Sequence, residues 1–341
     1  MLSCFATLAA LVLAGCSSGG SGSGQKTSPP PPTSPYTATS VLLLTQSAIY
    51  TYPLSGDGTP ATINVTPSST LTAPKGVVFS AMAQDSGGNL YVGAYQSTDV
   101  LTQEILVYAP GASGAATPER TISGTSTQLS TKGVSLPEDQ LNGILALAVD
   151  GTGQVYATAG PSILVFAAGA DGNVAPTRVL SAVTYVTALA VDSAGDLLAA
   201  NVSSDLSIGD ALEFSATANG NAAPTHTYGG AEMSFAFGLD VDGKDDVYVS
   251  DTTGGGKIYE YSPDGTSPMR TFTTAASAGG GSYESFWGLR EDTSGYTFVA
   301  VQLSSDMTGI QVFSPTSSGD SACVTFATTT PFVREPQILL R

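Results

Sequence analysis

Positive charge is what this sequence holds least of. Its 341 residues carry 11 Lys and Arg against 28 Asp and Glu, a net charge of −17, and only 11% of all residues are charged. Phosphate recognition needs clustered cations, so the composition argues against a nucleic-acid partner. Histidine occurs once, at His226. That removes a zinc site built on several histidines and a His–His acid–base pair. No Gly-x-Ser-x-Gly elbow is present for serine-triad chemistry. Gly279-Gly280-Gly281-Ser282 lacks the lysine that a phosphate loop requires. Of three cysteines, only Cys323 stands in the body of the chain. Its strand-like context has no basic neighbour to lower a thiol pKa, and it reads as inert packing. The apolar stretch at residues 2–13 is too short to span a bilayer.

Residues 1–16 have the form of an export signal, an apolar stretch ending in small residues. The end, Leu13-Ala14-Gly15-Cys16, resembles the bacterial lipobox. That resemblance implies lipidation of Cys16 and a new N-terminus there. No Lys or Arg precedes the apolar stretch, so a true start upstream stays open. Ser17 stands where an aspartate is associated with inner-membrane retention, so a Gram-negative envelope would place the protein at the outer membrane; the periplasm and cell surface are the related addresses. Residues 17–35 are a Gly/Ser coil followed by the prolines at 29–32, expected to be a disordered tether. Fully extended, it reaches roughly 60 Å.

From residue 36 onward the chain repeats itself. An apolar run, an aspartate, a glycine turn and a second apolar run recur: Ala81-Met82-Ala83-Gln84-Asp85 is followed by Gly88-Asn89-Leu90-Tyr91-Val92. Equivalent aspartates stand at Asp150, Asp192, Asp242 and Asp292, with spacings of 65, 42, 50 and 50 residues, a period of propeller blades or solenoid units. Each aspartate reads as a turn former that accepts amide hydrogen bonds while glycine supplies positive φ. Asp245 takes the glycine place in the fourth copy, and aspartate tolerates the left-handed region. Between these modules lies a second half-repeat. Ile163-Leu164-Val165-Phe166 precedes Asp171-Gly172 and then Pro176-Thr177-Arg178-Val179-Leu180, with three sister copies. Alternating strands and Asp-Gly or Asn-Gly turns make four strands per unit, lettered A to D.

Five such units follow residue 76. Before them, residues 40–52 match strands B and C of a unit that lacks strand A, and Pro336-Gln337-Ile338-Leu339-Leu340 matches a strand A without successors. The expected fold is therefore all-β, a six-bladed β-propeller of four-stranded blades over 36–341, closed by the C-terminal strand joining the N-terminal blade. This grammar resembles that of six-bladed NHL-type propellers, especially exported bacterial ones, a scaffold that hosts adhesion modules, lyases, lactonases and sensors.

Strand order puts the D–A and B–C loops on one face, the loop face, and the A–B and C–D turns on the other. The loop face collects acidic, amide and aromatic residues: Tyr95, Gln96 and Asp99; Asn142; Tyr185; Asn201, Asp205 and Asp210; Phe235 and Phe237; Asp251; Tyr283, Glu284, Phe286 and Trp287. They read either as solvated loops with aromatics plugging the channel, or as a ligand surface. On the second reading the contacts are Tyr95, Asn201, Asp251, Glu284 and Trp287. The function expected is a monomeric, lipid-anchored, non-enzymatic module that binds a protein, peptide or glycan at the envelope without a cofactor. The alternative is an enzyme resembling Ca-dependent lactonases, a hydrolase or lyase with its site in the channel. That resemblance implies Asn142, Asn201, Asp251 and Glu284 as oxygen donors to Ca²⁺. His226 falls on the outer strand, at the place held by Arg120, Arg178 and Arg270, and reads as a surface residue.

Overall fold

The computed structural model describes residues 34–129, 143–203, 207–230, 233–253, 256–274, 286–304, 307–321, 324–328, 330 and 337–341. The chain divides into two units, Met1–Pro32 and Thr33–Arg341, and every described residue belongs to the second. Cys16, Asn142, Glu284 and Cys323 lie outside the described residues. Among the described residues no helix is long and apolar enough to cross a membrane.

Six four-stranded antiparallel blades form a ring. Blade one is built from Ile338–Leu340, Ser40–Leu44, Ala48–Pro53 and Ser69–Thr72 as strands A to D. Blade two follows with Val77–Gln84, Leu90–Gln96, Asp99–Tyr108 and Arg120–Ser123. Blade three has Leu147–Val149, Val155–Thr158, Ile163–Phe166 and Arg178–Leu180. Blade four has Tyr185–Val191, Leu197–Val202, Gly209–Phe214 and His226–Gly230. Blade five has Ala236–Val241, Val247–Asp251, Lys257–Tyr261 and Arg270–Thr274. Blade six has Phe286–Glu291, Thr297–Ser304, Met307–Phe313 and Val324–Thr328. Each blade is covered on both faces by its neighbours, so its inner strands are apolar without alternation. Strand B of blade four, Leu197–Val202, is buried throughout. The core is accordingly divided among the seams. One cluster, for example, joins Ala81, Ile105 and Ile122 of blade two to Leu147, Val155 and Phe166 of blade three.

The aspartate turns follow from local chemistry. Asp150 Oδ1 accepts the amides of Thr152 and Gln154, each at 2.9 Å, and Gly153 takes φ 86°. Asp242 accepts from Lys244 and Asp246 at 2.8 and 3.0 Å, with Asp245 at φ 66°. These carboxylates are occupied by the turns they make. In blades two and three a tyrosine near the start of strand B also donates its hydroxyl to the turn aspartate, Tyr91 to Asp85 at 3.3 Å and Tyr156 to Asp150 at 3.2 Å.

The ring is sealed as the residue pattern predicts. Val41, Leu42 and Leu43 pair with Leu340, Leu339 and Ile338, and the Leu44 amide donates to the Gln337 carbonyl at 3.0 Å. The Gln337 side chain ties in two further blades. Its Oε1 accepts the Met82 amide at 3.0 Å and its Nε2 donates to the Leu145 carbonyl at 2.7 Å.

A second device fastens the seams at the rim. The link between strands C and D of one blade lies parallel to strand D of the blade before it. Leu71 bridges Gly114, Ile122 bridges Gly172 and Leu180 bridges Gly220. Two longer parallel pairs, Phe272 with Gly319 and Phe326 with Ile63, do the same on blades five and six. An arginine at the start of strand D grips the same link. Arg120 Nη1 donates to the Ala170 carbonyl at 2.8 Å and Arg178 Nη1 to the Ala218 carbonyl at 3.0 Å. Replacing Gln337 with Ala strands two buried backbone groups and is expected to cost about 1–3 kcal/mol in urea unfolding. Deleting 337–341 is expected to abolish the single cooperative transition, and an unchanged transition would contradict closure by this strand.

Candidate functional site

Two places on the ring gather polar groups, the axis with its loop face and the turn face. At the axis the six A strands leave a void of about 20 Å³, lined among others by Met82, Thr187, Phe237, Arg290 and Gln337. Such a space holds about one water molecule. Its polar lining is committed to joining blades. Thr187 Oγ1 donates to the Ala236 carbonyl at 2.9 Å, and Arg290 Nη1 donates to the Leu239 carbonyl at 3.1 Å. Arg290 is the charged residue among those lining the void, and a guanidinium there repels a metal ion.

The described sequence-predicted contacts, Tyr95, Asn201, Asp251 and Trp287, stand toward the loop face on blades two, four, five and six. Asn201 ends strand B of blade four, 7% exposed. Its Oδ1 accepts the Thr184 amide at 2.8 Å and its Nδ2 donates to Asp210 Oδ1 at 3.0 Å. Asp251 stands at the matching place in blade five, 3% exposed. It accepts amides from Ser234 at 3.0 Å, Phe235 at 3.3 Å and Thr253 at 2.8 Å, and the Thr253 hydroxyl at 2.7 Å. Thr158 in blade three plays the same part, accepting the amides of Leu145 and Ala146 at 2.8 and 3.1 Å. The polar residue at the end of strand B thus caps the incoming D–A loop, whose amides have no strand partner there. Among the described residues, no group of three or more His, Cys, Asp or Glu is placed to hold a metal ion.

Tyr95 is half-buried on strand B of blade two, its ring against Gly143, where an added Cβ would meet Cδ1 at 2.8 Å. Burial pushes its phenol pKa up. Burial also raises the carboxyls of Glu104 and Asp210, which occupy one repeat position on strand C, against the lowering hydrogen bonds from Gln96 and Asn201. Trp287 belongs to an aromatic series. Phe235 stacks on Phe237 at 6.2 Å and 14°, and Phe237 meets the Trp287 ring edge-on at 4.7 Å and 84°. Phe235 and Trp287 keep partial exposure while Phe237 turns into the axial void. Leu101 and Ile208, 40% and 44% exposed, project from the B–C hairpins of the same face.

Toward the turn face lie two buried carboxyls, Glu291 and Asp240. Both Glu291 carboxylate oxygens are buried, and burial, followed by Asp240 and Glu260 among the charges, raises its pKa well above the usual 4.5. Asp240 is raised too, by burial against the pull of Arg290.

No protein-family model matches the chain, and no curated protein matches it. Solved structures do match. A Bacteroides caccae protein of unknown function aligns with a TM-score of 0.55 at 8% identity, over 88% of this chain and 100% of that one. A Lactobacillus plantarum protein aligns with a TM-score of 0.51 at 11% identity, over 82% of this chain and 80% of that one. At these identities the likeness is one of fold alone.

Replacing Asn201 with Ala leaves a buried amide and a buried carboxyl without their partner and is expected to cost about 1–3 kcal/mol in denaturant unfolding. Unchanged stability would contradict the capping role. A carboxyl that holds its proton more tightly when folded adds stability below its unfolded pKa, near 4.5 for Glu291, and loses it as pH climbs through the raised value. Glu291→Gln is therefore expected to be nearly neutral at about pH 4 and stabilising at about pH 8. Destabilisation at both values would contradict the burial argument.

Proposed function

We propose that this protein is an exported, lipid-anchored, NHL-like propeller that presents its loop face to a protein, peptide or glycan at the bacterial envelope. The observation that carries this reading is the aromatic series from Phe235 through Phe237 to Trp287, half-exposed at its two ends. Flat rings with one open face stack on sugars or peptide side chains at little entropic cost. Leu101 and Ile208 add exposed apolar surface on the same side. The lipobox-like Leu13-Ala14-Gly15-Cys16 and the Gly/Ser/Pro stretch after it suit a tethered, outward-facing module.

The chain has a single tryptophan, Trp287, so its emission reports directly on loop-face occupancy. Screening the protein against peptide and glycan collections is expected to yield ligands that shift this emission. Phe235→Ala should weaken them by about tenfold or more with little change in unfolding. Ligands that bind without touching the emission and ignore Phe235 would sink the proposal. Melting in EDTA and again in excess Ca²⁺ is expected to give one midpoint. A clear rise with Ca²⁺ would favour the ion-dependent hydrolase instead.

A further inference from the structure

The seam between blades four and five breaks the pattern that fastens the others. At the seam between blades two and three the Gly172 amide donates to the Thr121 carbonyl at 2.8 Å, and the Ser123 amide donates to the Gly172 carbonyl at 3.1 Å. The next seam repeats this with Gly220, Val179 and Ser181 at 2.7 and 2.8 Å. On strand D of blade four the matching positions are Thr227 and Gly229, and no described residue pairs with their outward backbone groups.

Two sequence changes cause the break. Ten positions separate Tyr108 from Pro118, Phe166 from Pro176 and Phe214 from Pro224, but seven separate Tyr261 from Pro268. The shortened link of blade five cannot reach along the strand. It touches side chains only: His226 Nε2 lies 3.1 Å from the Gly265 carbonyl, and the Asp264 amide donates to Tyr228 Oη at 3.4 Å. The second change is at the fastening residue, His226 for arginine, with Leu198 in place of Tyr91 and Tyr156. Beside Leu198, where the sister blades carry that tyrosine, an open cavity of about 240 Å³ remains, while His226 itself makes the contact to the link carbonyl that Arg120 and Arg178 make at their seams.

That cavity is lined by Asp192, Asp196, Glu213, Asp245 and Asp264, with no Lys or Arg among its lining residues. Glu213 is the telling member. At the same repeat position in blade five, Glu260 forms an ion pair with Arg270, which also donates to the Ser317 carbonyl at 3.2 Å. Blade four has the glutamate without the cation, and Glu213 accepts instead from the Tyr228 hydroxyl at 2.7 Å and the Thr225 hydroxyl at 3.3 Å.

We propose that this seam takes an extended, basic segment of a partner polypeptide, its backbone pairing beside Thr227 and Gly229 and an arginine or lysine side chain entering the acidic cavity. An unpaired strand edge is a template for strand addition. The parallel arrangement has five precedents in this molecule, and the guanidinium has three. Charge complementarity selects the occupant, since carboxylate–guanidinium pairs are the strong polar contacts available here. The site lies at the rim on the turn side, so it stands or falls separately from the loop face, and Trp287 emission is silent to it.

The test is an anisotropy titration of the whole protein with a short labelled peptide, alternating threonine and valine around one central arginine. Companion peptides carry Lys, Gln or Glu at the centre. The Arg and Lys peptides are expected to bind about tenfold or more tighter than the Glu peptide, and to weaken as salt rises. Glu213→Gln should cost about tenfold. His226→Arg should refill the cavity from within, abolishing binding while leaving the thermal midpoint equal or higher. That variant keeps the test decisive even if Glu213→Gln folds poorly. Absence of binding, indifference to the central residue, or full binding by His226→Arg would each overturn the proposal.

Discussion

Val41, Leu42 and Leu43, paired with Leu340, Leu339 and Ile338, hold the ring shut, and the burial of every blade face depends on that joint. An open array would expose the face of blade one and the inner strand of blade six, each an apolar surface. Closure buries Val41, Leu42, Leu43 and Ile338 to 1% exposure or less, and side chains of this size contribute about 1.5–3 kcal/mol each as an upper estimate. Because the closing strand is also the inner strand of its blade, Gln337 reaches the axis and there bonds blades two and three. The narrowness of the axial void follows from the same geometry. Side chains and carbonyls of adjoining A strands bond one another across it, as Thr187 does to the Ala236 carbonyl and Arg290 to the Leu239 carbonyl.

Polar residues in this protein mostly serve backbone. Aspartates hold the A–B turns, the ends of B strands cap the D–A loops, and arginines at the starts of D strands grip the next blade. A chain with 11% charged residues has few left for other work. Departures from the scheme are therefore the informative places. One is the aromatic series on the loop face, partly exposed at Phe235 and Trp287. Another is the seam of blades four and five, where Glu213 lacks the arginine partner that Glu260 has.

The blade count and the closing strand could be read from the residues because both rest on local patterns. The aspartate turns recur in sequence, and a lone apolar strand at the C-terminal end matches the strand missing from the first unit. Site residues were less legible for a physical reason. Asn201 and Asp251 look like ligand donors at a channel mouth, yet the groups they bind are backbone amides, which every residue owns and no letter announces. The arginine fasteners were equally hidden. Arg120 acts on a carbonyl 50 residues away and Arg178 on one 40 away, so spacing inside a repeat says nothing of the partner. The place of His226 on the outer strand is legible from its repeat position, but its contact to the Gly265 carbonyl 39 residues away is not.

Native-state hydrogen exchange at the joint tests the closed ring most directly. The Leu44 amide, bonded to the Gln337 carbonyl, and the Arg341 amide, bonded to the Ser40 carbonyl, should exchange only through global unfolding, at the rate of amides in the middle of blade three. Exchange of these two on the timescale of a fraying terminus, with the central blades still protected, would show that the ring is not sealed by its C-terminal strand.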